Sequence, residues 1–223
     1  MSASSEELRN EYEMRFSALA EYRNEVWKIL VRDFFQKRID PESTILDLGC
    51  GWGEFINNIQ AREKYGMDLN EDSRKKMAPG IQLLQQDCSK RWNLENDSLD
   101  TVFTSNFFEH LRSKPDLDST LNEAFRCLKP GGQITCLGPN IKYVGNDYWD
   151  FYDHYTCLSH LSLEEALRMR GFEIVEVIPR FLPYTMAQGS TPPLFFIKCF
   201  LRFRFLWRMF GKQFLVTARK PMV

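Results

Sequence analysis

The sequence predicts one α/β domain built on a mostly parallel β-sheet covered by helices on both faces. Three observations predict it. Short apolar runs alternate with amphipathic stretches from Thr44 onward, a glycine-rich turn directly follows the first run, and 223 residues with 43% hydrophobic content suffice for one sizeable core.

From Ser4 to Arg38, apolar residues recur at helical spacing (Leu8, Tyr12, Phe16, Leu19, then Val26, Leu30, Phe34) among charges, which predicts two amphipathic helices forming an N-terminal cap over 1–40. Asp40-Pro41 breaks that pattern. Strands are expected at Thr44–Leu48, Lys64–Met67, Ile81–Gln85, Leu99–Thr104 and Gln133–Leu137. Helices are expected between them at Glu54–Ala61 and Leu117–Leu128, the second stopped by Lys129-Pro130-Gly131-Gly132. A helix at Leu163–Arg170 ends at Gly171, and strands Phe172–Ile178 and Gln213–Ala218 bring the total to seven. The single domain of 1–223 thus divides into the cap, a core over 41–178, an arm over 179–211, and a final strand and tail over 212–223.

The six cysteines form no CxxC pair, and the opening MSASSEELRNEYEMR is polar and charged, unlike a secretory leader. A reducing, cytoplasmic setting is expected. All 30 acidic residues lie at or before Glu176, whereas the rest of the chain holds eight basic residues and no acid.

The segment Asp47-Leu48-Gly49-Cys50-Gly51-Trp52-Gly53 places glycines where a strand turns tightly and backbone approaches a ligand closely. Alone, such a turn suits a nicotinamide or flavin cofactor equally well. Three acids shift the balance: Asp47 before the glycines, Asp68 at the end of the second strand, and Asp87 after the third. An Asp at the Asp68 position can accept hydrogen bonds from both ribose hydroxyls, and a polar residue near Asp87 can meet an adenine edge; neither role needs a pyrophosphate.

ILDLGCGWG, YGMDLN and QQDCS, followed by LDTVFTSNFFEHL and the LKPGG turn, resemble the class I S-adenosylmethionine-dependent methyltransferases over residues 40–178. The resemblance implies a Rossmann-like seven-stranded fold with S-adenosyl-L-methionine as cofactor and S-adenosyl-L-homocysteine as product. By that likeness Asp68, with Leu69 beside it, holds the ribose; Asp87 or the Cys88 backbone meets the adenine. Asp47 and the turn Gly49, Cys50, Gly51 and Gly53 take the methionine end, and Asn106, Phe107 and His110 lie by the sulfonium.

Methyl transfer needs an aligned nucleophile and removal of its proton. The three histidines, His110, His154 and His160, all follow the fourth or fifth strand, at the expected ligand crevice. The connection from Gly138 to Tyr155 is rich in Tyr, Trp, Asn and Asp, which suits a polyhydroxylated ring. His154 is the expected general base, oriented by Asp150 or Asp153, with His160 as a further catalytic candidate and His110 as structural or cofactor-facing. A metal on Asp147, Asp150, Asp153 and His154 is the rival reading, and no metal is expected. Cys136 sits mid-strand and reads as core.

Leu194–Phe210 plots as one helix with Phe195, Phe196, Cys199, Phe200, Phe203, Leu206, Trp207 and Phe210 on one face and Lys198, Arg202, Arg204 and Arg208 opposite. It is too short and charged to span a bilayer. Its apolar face suits the protein's own core, a dimer partner or a peripheral membrane surface. Nucleic acid is disfavoured because the body is acidic.

SNFFEHL, GPNIKYV, YWDFYDH, RFLPYT and GKQFLVTARKP also resemble bacterial methyltransferases found among surface-polysaccharide functions. That likeness implies O-methylation of a sugar hydroxyl on a nucleotide- or lipid-linked glycan. A quinone-like acceptor, RNA, and a non-catalytic cofactor-binding protein are the alternatives.

Overall fold

The computed structural model describes residues 19–184 and 191–222. Seven strands form one sheet: β1 (Thr44–Leu48), β2 (Glu63–Met67), β3 (Ile81–Leu84), β4 (Leu99–Ser105), β5 (Leu128–Pro139), β6 (Glu173–Ile178) and β7 (Gln213–Arg219). Their order is β3-β2-β1-β4-β5-β7-β6. The strands β3, β2, β1, β4 and β5 are paired in parallel, and β7 runs antiparallel to both of its neighbours. The C-terminal ends of those five parallel strands therefore share one edge, where an open α/β sheet binds its ligand.

Alternating side chains feed two cores, one on each face. Leu46, Leu48, Val102 and Val216 enter the core capped by α2 (Lys114–Cys127) and α3 (His160–Met169). Ile45, Phe103 and Leu215 enter the opposite core, where α1 (Ala20–Leu30) contributes Val26, Trp27 and Leu30. There Phe103 stacks on Phe55 with centroids 3.7 Å apart, and Trp27 meets Phe103 edge-on at 6.1 Å.

All seven expected strands are present, and their ends agree within a residue or two except for β5. That strand starts at Leu128, so the Lys129–Gly132 segment is an irregular strand beginning, tied by Gly131 N–H to Lys220 O (2.9 Å). α2 starts at Lys114, capped by Ser113, whose Oγ accepts from Asp116 N. α3 starts at His160 behind a Ser159/Ser162 capping box. Gly171 (φ 87°) follows it, as expected.

Three expectations need correction. Glu54–Ala61 is a chain of turns, not a helix, because side chains capture its backbone groups: Asn58 Nδ2 donates to Glu54 O (2.7 Å), and Lys64 Nζ donates to Ile56 O and Ile59 O. The second N-terminal helix is α1 followed by a wide π-type turn, Val31–Phe35, and a 3-10 turn, Gln36–Arg38; the first lies outside the described residues. The arm is two helices, α4 (Leu194–Arg202) and α5 (Arg204–Phe210), broken at Phe203 (φ −111°, ψ 93°).

That break splits the single apolar face. Trp207 is buried and donates from Nε1 to Phe200 O (2.7 Å), while Ile197, Phe200 and Leu201 pack on the α1 core. Phe195, Phe196, Phe203, Phe205 and Phe210 are exposed. Part of the arm is thus the protein's own core. Among the described residues no helix is long and apolar enough to cross a membrane.

Candidate active site

The turn after β1 carries three glycines with positive φ: Gly49 (70°), Gly51 (51°) and Gly53 (78°). Any side chain is strained there. A Cβ on Gly49 would also lie 2.2 Å from the Phe107 ring, and one on Gly53 would lie 2.9 Å from Met77 Cε. Gly49 and Cys50 donate to Met67 O at 2.9 and 3.1 Å, which pins the turn to the end of β2.

There Asp68 accepts from Gly51 N at Oδ2 and from Asn70 N at Oδ1, both at 2.8 Å. Burial raises its pKa, opposed by those amides and by the charge of His110. The Leu69 amide also bonds this carboxylate, which keeps its remaining accepting capacity for a diol. Leu69 next to it is 38% exposed. Asp47 is buried, and burial together with the Glu54 and Asp68 charges holds its carboxyl well above the usual range. It shapes the turn from beneath, bonded to the Ile56 amide.

Asp87 closes a tight turn, accepting from Ser89 N (2.9 Å) and Ser89 Oγ (2.7 Å) through Oδ1. Cys88 is buried behind it and takes a 3.4 Å contact from Thr120 Oγ1. At the end of β4, Asn106 adopts φ 48°, a left-handed conformation uncommon outside glycine. Its Oδ1 is buried and has no hydrogen-bond partner among the described residues, so it suits an incoming donor such as an ammonium group.

The 3-10 turn Phe108–His110 follows. Glu109 is buried, and burial pushes its carboxyl up to about 7. His110 Nδ1 lies 2.8 Å from Asp153 Oδ2 and 3.2 Å from Asp153 O; both are acceptors, so Nδ1 carries the proton. Burial alone would depress this imidazole, but Asp153 and Glu109 outweigh it and raise its pKa.

His154 comes from the connection after β5 and is buried, with Nδ1 2.8 Å from Tyr148 O and its ring 5.2 Å from that of His110. The strap around it is held to the 3-10 turn: Tyr155 N and Thr156 N donate to Glu109 O (2.8 and 3.0 Å), and Thr156 Oγ1 donates to Leu111 O (2.6 Å).

The structure thus brings Gly49, Cys50, Gly51, Asp68, Phe107, His110 and His154 to one edge of the sheet. Asp150 ends a 3-10 turn at the surface, and the group that orients His154 is the Tyr148 carbonyl. The carboxylate expected to orient His154, Asp153, is on His110 instead. His160 accepts from Asn140 Nδ2 (2.9 Å), which also donates to Pro179 O, and burial lowers its pKa. Sequence reasoning missed Glu109 as a site residue. Its place beside His110 in FEHL was the only signal, since its burial depends on the distant strap.

The family model for "Methyltransferase domain" matches residues 19–177. Among curated relatives, the demethylmenaquinone methyltransferase of Listeria welshimeri is 26% identical over 155 residues, 61% of each chain, and that of Bacillus mycoides is 24% identical over 144 residues, 59% of each. The chain spans about three-fifths of the length of these relatives. Among solved structures, the methyltransferase in the complex with the Haloferax volcanii Trm112 methyltransferase activator superposes with a TM-score of 0.70 at 19% identity, covering 98% of both chains. A SAM-dependent methyltransferase from Archaeoglobus fulgidus superposes with a TM-score of 0.66 at 23% identity, covering 92% of this chain and 99% of that one.

The chain belongs to the methyltransferase-domain family and has the fold of the class I S-adenosylmethionine-dependent methyltransferases. The Archaeoglobus fulgidus neighbour is a SAM-dependent enzyme, with S-adenosylmethionine as its cofactor. Bare left-handed glycines, the remaining lone pairs of Asp68 and the orphaned Asn106 Oδ1 fit that group.

Proposed function

We propose that this methyltransferase O-methylates a ring hydroxyl of a small acceptor lying against the wall formed by the 3-10 turn at Phe108–His110 and the strap carrying His154. The observation that carries this reading is the buried Glu109, the Asp153-bound His110 and His154 gathered beside Asp68 and Gly51. Asp68 would hold the ribose, Asp87 or the Cys88 backbone the adenine, the Gly49–Gly53 turn the methionine carboxylate, and Asn106 Oδ1 the ammonium. When bound, S-adenosylmethionine supplies an electrophilic methyl on a positively charged sulfur.

The protein's own task is to align the acceptor and remove its proton. Tyr148 O and Asp153 each accept from the Nδ1 of a histidine, so in the neutral ring Nε2 is the accepting nitrogen. The acceptor proton passes to this cluster. Asp150, at the surface, and His160, on Asn140, take no part in that proton transfer.

A sugar hydroxyl on a nucleotide- or lipid-linked glycan is the acceptor that the surface-polysaccharide likeness favours. A lipophilic, quinone-like acceptor is the second reading, favoured by the demethylmenaquinone relatives and by the exposed phenylalanines of the 179–211 arm, which would lie on a membrane surface.

Calorimetric titration with S-adenosylhomocysteine tests the cofactor site. Micromolar binding by wild type and its loss in Asp68→Ala support the assignment; equal binding by both removes Asp68 from it. Methyl-transfer assays against nucleotide sugars, lipid-linked sugars and vesicle-borne quinones then decide between the two acceptor classes.

A further inference from the structure

We propose that Glu109, His110 and His154 form a binding site for a first-row divalent transition ion at the acceptor side of the cofactor cradle. It rests on the methyltransferase reading above and names how that site activates its acceptor. One donor atom from each of the three residues lies within 4.8 Å of the other two. Metal bonds of about 2.0–2.2 Å hold ligand atoms roughly 3.5 Å apart, so a contraction of about an ångström closes the set.

The surroundings are those of a supported site. His110 Nδ1 faces Asp153 Oδ2 and His154 Nδ1 faces Tyr148 O, each at 2.8 Å, so Nε2 is the nitrogen each ring would offer to an ion. A carboxylate or carbonyl on the far nitrogen is how metal-binding imidazoles are oriented. Glu109 is fixed through its carbonyl by two strap amides, and its Oε2 lies 3.8 Å from where a Cβ on Gly138 would stand.

Two imidazoles and one carboxylate form a borderline donor set, suited to zinc, iron, cobalt or manganese more than to the oxygen-seeking magnesium and calcium. Three protein ligands leave a position open, as in catalytic sites. The set weighed from sequence is not the one assembled: Asp147 pairs with Lys212 (3.1 Å) and Asp153 supports His110.

With the ion in place both Nε2 atoms are taken and no longer receive the proton, as they would in the ion-free protein; an acceptor hydroxyl takes the open position, its pKa falls, and its proton leaves to solvent. The oxygen lone pair then forms the new O–C bond while the C–S bond breaks and its electrons return to sulfur. The balance is alcohol plus sulfonium giving methyl ether, thioether and one proton.

The test uses the full chain stripped with a chelator and titrated with Co²⁺, with Zn²⁺ measured by competition against a chromophoric chelator. We expect one ion per chain with nitrogen/oxygen-type visible bands, weakened at least 100-fold in His154→Ala and in the near-isosteric Glu109→Gln. Asp153→Asn should weaken it by about 10- to 100-fold. Thermal melts check that each variant is folded, and Glu109→Gln carries the test if His154→Ala is not.

No binding by wild type, undiminished binding by folded Glu109→Gln, or intense thiolate bands from Cys157 or Cys199 each overturn the proposal. So does full methyl transfer in excess chelator. Calorimetry with S-adenosylhomocysteine on the same samples separates the two readings: metal bound without it leaves the ion site standing and sinks the transferase assignment.

Discussion

In the turn after β1, the contacts that shape the site are short in sequence: Gly51 reaches Asp68, 17 residues on, and Asp87 reaches Ser89. On the facing wall, His110 reaches Asp153 across 43 residues and Thr156 reaches Leu111 across 45. The first region is a local motif on rigid strand ends. The second exists only once a strap has folded back over the sheet edge, so its chemistry is carried by residues that look ordinary in the chain. A cofactor common to many enzymes suits the first construction, and an acceptor particular to one suits the second.

Four measurements can break or sharpen that contrast. Trp207 ties the arm to the core, so Trp207→Ala should lower stability by about 3–5 kcal/mol, read from the denaturant midpoint. Exposed Phe205→Ser should stay within about 0.5 kcal/mol. Equal effects would mean that the arm has no inner and outer side.

The Asp68→Ala loss of S-adenosylhomocysteine affinity should reach about 3 kcal/mol, roughly 100-fold, since two charged hydrogen bonds disappear. A loss under threefold would move the ribose contact elsewhere on the cradle.

Gly49→Ala meets both a left-handed backbone and the Phe107 ring, and should destabilise the fold by about 1–3 kcal/mol. Phe107→Ala in the same chain removes the ring but keeps its own Cβ 2.8 Å from the new methyl, and it leaves the strain untouched. The double variant should therefore recover only part of the loss measured by thermal melting, and full recovery would show that φ is not limiting.

The smallest effect concerns the far edge of the sheet. Asp100 receives Lys129 Nζ (2.8 Å) and Thr44 N (2.8 Å); burial raises its pKa, but these partners outweigh it and the net direction is down. A carboxyl lowered on folding stabilises above its unfolded pKa and loses that contribution as pH falls through the folded value. Asp100→Asn should thus cost under about 1 kcal/mol at neutral pH, with the difference vanishing in acid. A difference that persists in acid would assign the effect to shape rather than charge.

The strands and the cofactor cradle were legible because they depend on local pattern: alternating apolar runs, glycines where φ is positive, and acids at strand ends. The helix expected at Glu54–Ala61 failed for a local reason of another kind, since Asn58 and Lys64 occupy carbonyls a helix would use. The arm's single helix failed because burial of Trp207 favoured a break at Phe203 over a continuous apolar face.

By itself the sequence determined the α/β class, the seven strands, and the tight glycine turn after the first strand, because each follows from steric and hydrogen-bonding needs of a few adjacent residues. Only the tertiary structure decided that Glu109 is a buried carboxyl, that Asp153 serves His110, and that His154 hangs from the Tyr148 carbonyl. Those properties are desolvation and distance, and neither exists until residues some forty apart are packed together.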